Sequence, residues 1–402
     1  MFGRAALFLV MGFSAIFMGY HQRLITSSNG AVDTYSNYYS RTAGQYLATS
    51  GANLALNQLF LSPNWSSGYT DLAFNGGTIN VGVVSFGSNN RRVTSVSSYM
   101  GSSDTVVVIL QPSNFARFGY YASNMPSNLF YATGDTVSGP MHVQGTLNVI
   151  GSPVFLGRVT TQTGLRKNSA GDTPQFLGGY QGGVNLTFPN SFSNVAAAAA
   201  AGGKVFSNTD VYMTFNSNAT VTYKLSSSGA ATTIALSTFA PNGVISINNG
   251  NLHLQGTVSG QYTVSANTGS TSSAGNIYID NDVVYKTTRT SSGNTDMLGI
   301  VAQKNVIISD VAANKNDVYI DGSIFSLSGG LSVQNYDHIG YCGSIRIFGG
   351  LIENTSQATG VWNGTSISSG YSSRIAYDTR FMVSTPPAYP ASGTFNILSW
   401  KE

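Results

Sequence analysis

A short strand pattern returns four times in the second half of this 402-residue chain, and few folds accommodate that. Its form is apolar-x-apolar-x-Gly/Asn-x-apolar. It runs at Leu252–Val258, Ile277–Val283, Val318–Ile324 and Ile345–Leu351. The starts lie 25, 41 and 27 residues apart. Alternation with period two marks a strand. Return after about 20–30 residues marks a solenoid, whose coils bury an inner face only by stacking. The small fifth residue lets the chain bend between strands. Leu147–Gly151 reads as an earlier coil. Val306–Asp310, inside the longest gap, reads as another coil or a different side of one. The expectation is a parallel β-helix over 126–402, with a sandwich of evenly spaced strands as the competitor. The one helix expected there is Phe192–Ala201, from its six alanines.

Composition supports an all-β body. Asp, Glu, Lys and Arg make up 9% of residues, against about 25% in an average soluble domain. That excludes a charge-rich disordered chain and a long charged coiled coil. The formal charge of +3 rests on few groups and gives no basic stripe for nucleic acid. A single cysteine, Cys342, excludes an intramolecular disulfide and a cysteine-based zinc site.

The first sixty residues read differently. Arg4 is followed by sixteen uncharged residues, Ala5–Tyr20, with apolar positions Leu7, Phe8, Leu9, Val10, Phe13, Ile16 and Phe17. With Phe2 and Tyr20 these are the candidate assembly-helix residues. Sixteen is slightly short for a bilayer span, which the flanking Met1–Gly3 and His21–Gln22 extend. The expectation is a retained transmembrane and assembly helix, with a cleaved secretory signal as the alternative. An apolar stripe then continues through Val32, Tyr35, Tyr39, Ala43 and Leu47 to Phe60, weakened locally at Gly30, Gly44 and Gly51. Ser62-Pro63-Asn64 stops it.

From 70 to 125 the period changes to two. Thr78–Val83, Arg92–Val96 and Thr105–Leu110 are strands, with turns at Asn89-Asn90 and Gly101–Ser103. Three short strands need an apolar cover, and the preceding helix supplies one. The domains are therefore 1–60 (helix), 61–125 (small antiparallel sheet) and 126–402 (β-helix with a C-terminal tail).

Chemistry-bearing groups are sparse. The histidines (His21, His142, His253, His338) show no metal-ligand spacing. Cys342 reads as a small core residue. Asp280 and Asp282, with Asp310, Asp317 and Asp321 beyond, offer oxygen donors of the kind calcium takes or an acid–base pair. Asp280-Asn281-Asp282 lacks the downstream Gly and Glu of an EF-hand, and aspartates also serve solenoid turns. The expectation is no enzyme and no cofactor, with calcium as the alternative ligand. Strand alternation puts His253, Tyr278, Tyr319 and Arg346 in one outward column, with Gln255, Asp280, Asp321 and Phe348 in the next. The first column is the candidate surface for glycans or a neighbouring subunit.

The segment GQYLATSGANLALNQLF (44–60), followed by Pro63-Asn64-Trp65, resembles the post-anchor segment of PilX-type, type IV pilus-associated bacterial proteins. Gly139–His142, Pro241–Ile245, Asp296–Ala302, Tyr377–Arg380, Pro386–Pro390 and Ser399-Trp400 resemble an uncharacterised C-terminal β domain found with that start. The chain departs from typical pilins in having no Glu in residues 1–20 and, with Gly3 at a prepilin-type cleavage position, a very short leader. The resemblance implies a pilin-like helix and sheet and an envelope or surface protein, with no established activity. The resulting expectation is a non-enzymatic subunit of an extracellular pilus-like filament. Its partners would be copies of itself or other pilus-like subunits, and the inner membrane before assembly. The alternative is a membrane-anchored adhesin or minor pilin. A polysaccharide-cleaving enzyme is the third reading.

Overall fold

The computed structural model describes residues 2–86, 90–364 and 366–402. The chain is mainly β with one long N-terminal helix. It divides into two compact units, one of residues 1–112 with 393–402, the other of 113–392. The boundary expected near 125 therefore moves to Pro112–Ser113, because Tyr120–Asn124 pairs in parallel with Leu351–Thr355.

In the first unit, α1 (Phe2–Leu61) precedes four strands: β1 (Tyr69–Phe74), β2 (Gly77–Phe86), β3 (Asn90–Tyr99) and β4 (Ser102–Asn114). They pair antiparallel in sequence order. A fifth strand, Ala391–Lys401, joins at β4 from the far end of the chain. The β3–β4 turn falls where Gly101 was expected to punctuate it, with Met100 and Gly101 at φ 44° and 83°. The other expected turn, Asn89-Asn90, begins outside the described residues.

Small residues explain how the helix lies on this sheet. Leu47, Ala48, Ala52, Ala55 and Leu59 are buried against Ile79, Val81, Val93, Val106 and Val108. Their spacing gives one helical face. At Gly51 a Cβ would stand 2.3 Å from Ile79 Cγ2 and 2.4 Å from Ser95 Oγ. The glycine that weakens the helix locally is the point of close approach. The Ser97 hydroxyl donates to Gly44 O at 2.6 Å. Ser62 N–H closes the last turn on Gln58 O, and Pro63 follows. The expected stripe is not buried along its whole length: Val32, Tyr35 and Tyr39 are exposed, and the buried part of the helix begins at Ser40, whose hydroxyl meets Ser102 Oγ at 2.9 Å.

The second unit is dominated by parallel ladders. One runs Lys204–Ser207, Val244–Asn248, Gln261–Asn267, Met297–Ala302, then Ser323–Ser326 and Leu351–Thr355. It continues through Tyr120–Asn124, Met141–Val143, Val159–Thr161 and Tyr180–Gln181. A second joins Val211–Phe215, Leu252–Leu254, Ile277–Ile279, Val306–Ile308 and Leu331–Val333. Val306–Ile308 is thus the rung beside Ile277–Ile279. Inward side chains such as Leu254, Ile279, Ile308, Ile320 and Ile347 form one core.

Rung order is not chain order. Residues 120–181 are added beyond 341–377, so the chain must travel back along the ladder before resuming at Lys204. It does so on the outer face. Val184 N–H donates to Thr161 O, Tyr121 Oη donates to Leu186 O, and Phe188 stacks on Tyr121 and Phe325 at 5.4 Å each. The expected helix, α2 (Ser193–Gly202), then buries Val195 and Ala199. A second strap returns: Pro387 O accepts from Thr263 Oγ1 at 2.5 Å, and Tyr389 Oη bonds Ser323 Oγ at 2.6 Å. The straps bury Phe325, Val301 and Ile352 from outside, which is why these strands are apolar on both faces.

Candidate functional site

Every described side chain of α1 from Gly3 to Tyr39 is exposed. Among them stand Leu7 at 61%, Phe8 and Phe17 at 71% and Ile16 at 69%, with Leu9, Val10, Phe13 and Tyr20 similarly open. Phe2 opens the helix. Successive helical residues are about 100° apart, so this run presents apolar surface on all sides. The expected transmembrane helix is corrected: among the described residues no helix is long and apolar enough to cross a membrane. Sixteen uncharged residues rise about 24 Å, less than the roughly 30 Å hydrocarbon core.

The expected outward column divides in two. A bulge between Leu254 and Gly256 shifts the register, so Tyr278 pairs with Ile307 while Val283 pairs with Ile320. Tyr212, His253 and Tyr278 form one stack, with ring centroids 4.2 and 4.6 Å apart. His253 Nδ1 meets Asp280 Oδ2 at 2.9 Å, and Asp280 also accepts from Ser309 Oγ at 2.5 Å. Tyr319 and Arg346 belong to the other column. Tyr319 N–H donates to Asp282 Oδ1 at 2.9 Å, and the Arg346 guanidinium donates to Asp317 Oδ2 at 2.7 Å. Burial opposes ionisation of Asp317, but the Ser344 N–H and Arg346 hold its carboxyl below the usual range.

Asp280 and Asp282 therefore serve different partners within the chain. Asp321, placed outward by simple alternation, is 2% exposed, takes Tyr285 N–H at 2.9 Å and pairs with Arg289. Among the described residues no three His, Cys, Asp or Glu side chains stand together as a metal site. Cys342 is buried in the ladder core. His142 is buried between Thr160 Oγ1 and Gln144 Oε1, both at 2.8 Å.

Sequence reasoning passed over a cavity of about 130 Å³ in the second unit, walled by Tyr120, Tyr131, Trp362 and Tyr371 and by two carboxyls, Glu353 and Asp135. Glu353 is 2% exposed. The available signal was rarity: Glu353 and Glu402 are the only glutamates in the chain, and Glu353 directly follows the apolar pair Leu351-Ile352.

No protein-family model matches the chain, and no curated protein matches it. Among solved structures, it is similar to the crystal structure of the competence-associated pilin ComZ from Thermus thermophilus. The TM-score is 0.37 and the identity 11%, over 90% of this chain and 97% of that one.

Proposed function

We propose that this chain is a non-enzymatic structural subunit of an extracellular pilus-like filament. The observation that carries the reading is the uncharged stretch of α1 from Ala6 to Tyr20, whose side chains are all exposed among the described residues. A single partner helix would bury only a stripe of it. Like helices surrounding it would bury the whole circumference, and fully burying a Leu or Phe is worth roughly 1.5–3 kcal/mol. A head-to-tail contact between copies that does not close into a ring makes a filament. In this reading the second unit is a parallel β-helix that displays an outer surface and makes lateral contacts. The non-sequential parallel ladders support it. Tyr, Asn, Ser, Thr and Gly in place of charge suit a surface location. A glycan-binding reading draws less support, because His253 lies between Tyr212 and Tyr278 with both ring faces covered.

The test is electron microscopy of the purified full chain beside Phe8→Arg/Phe17→Arg. Filaments are expected from the first and dispersed subunits from the second, with an unchanged thermal transition. A full chain that stays monomeric in every condition defeats the proposal. So does a double variant that assembles normally.

A further inference from the structure

We infer that the aromatic cavity around Glu353 binds a small organic ammonium ion. Five rings, from Tyr120, Phe130, Tyr131, Trp362 and Tyr371, share its wall with the carboxyls of Glu353 and Asp135, and among the described residues no lysine or arginine lines it. Glu353 Oε1 accepts from Tyr120 Oη at 2.7 Å and Oε2 from Leu331 N–H at 3.0 Å. Asp135 Oδ2 accepts from Ala132 N–H at 2.8 Å. These neutral donors satisfy lone pairs, and among the described residues no cation pairs with the charge of Glu353. Burial accordingly pushes the Glu353 carboxyl up to about 7 and that of Asp135 to about 6. Asp135 has the more distant help of Arg374.

The chemistry of the wall selects the occupant. An anion would be repelled by both carboxyls. A neutral hydrocarbon would leave the buried charge as costly as before. A cation with an apolar skin satisfies both halves: its charge meets Glu353 and Asp135, and its methyl or methylene groups meet ring faces, an arrangement worth about 2 kcal/mol or more when desolvated. Size agrees, since an apolar cavity of about 150 Å³ takes up benzene. The inference stands independently of filament assembly.

Choline and its neutral isostere 3,3-dimethylbutan-1-ol are the probes, titrated into the full chain at pH 8 by calorimetry and by Trp362-sensitive fluorescence. Choline is expected to bind at least about tenfold more tightly than the alcohol. Glu353→Gln and Asp135→Asn should each weaken choline while leaving the alcohol unchanged. Equal binding of the two probes, absence of choline binding, or choline binding indifferent to both substitutions overturns the inference. If Glu353→Gln fails to fold, Asp135→Asn and the isostere comparison in the unaltered chain decide it.

Discussion

Gly349→Ala is expected to cost more than about 3 kcal/mol of stability in the second unit. Gly349 and Gly322 face each other in register, with φ 150° and 153°. Each sits in the middle of a long strand, Val318–Ser326 or Tyr341–Thr355, whose two halves belong to different ladders. The glycines are therefore the corners. A Cβ on Gly349 would lie 2.0 Å from Gly322 O, and one on Gly322 would lie 2.7 Å from Leu298 O. Neighbouring rungs sit about 4.8 Å apart, so no side-chain adjustment removes a clash with backbone. Gly145→Ala is the control, because no atom lies within 4 Å of its Cβ; it should shift stability by less than about 0.5 kcal/mol. Urea denaturation of both variants checks this. A Gly349→Ala protein as stable as the control would mean the corner tolerates a side chain.

That corner was legible in the sequence, because the small fifth residue of the recurring pattern marks a bend. Less of the ladder's register was legible. Alternation counts residues two by two and cannot register a bulge. The bulge opposite Leu254–Gly256 is what separates Tyr278 from Tyr319 and brings Asp282, not Tyr278, beside the latter. The stacking of Tyr120–Asn124 on Leu351–Thr355 joins segments some 230 residues apart, and no local period records such a partner. The return of Ala391–Lys401 to the first sheet is hidden for the same reason. On α1, periodicity found the face that is buried beyond Ser40 but extended it too far, since the pattern does not show where burial begins. The cavity escaped because its carboxyls do not share a motif. Asp135 lies in a turn and Glu353 in a strand, and only the fold brings both to one wall.

Between pH 5 and pH 8 the second unit should lose stability, and Glu353→Gln should remove much of that loss. Burial is the main cause of the raised Glu353 carboxyl, against the hydrogen bonds from Leu331 N–H, Tyr120 and Ser356. Its value in the fold, about 7, exceeds the ordinary 4.5. Between about 4.5 and about 7 the folded protein therefore holds a proton that the unfolded chain releases. Stability from this group is fully present below the ordinary value, falls as pH rises toward about 7, and is flat above. At 1.36 kcal/mol for each unit, the whole effect is about 3 kcal/mol. The neighbouring phenols cannot compensate, since burial raises both Tyr120 and Tyr131 away from neutrality. Asp135, raised to about 6, acts in the same direction at lower pH, so the Gln variant should keep a smaller slope that ends earlier. Glutamine retains an oxygen for Leu331 N–H and carries no ionisable charge. At pH 8 it should be the more stable protein, and at pH 5 the two should nearly coincide. Urea denaturation at both pH values measures the difference. Parallel pH profiles for the two proteins would show that the Glu353 carboxyl is solvated in the fold, and the argument for an uncompensated charge in this cavity would fall with it.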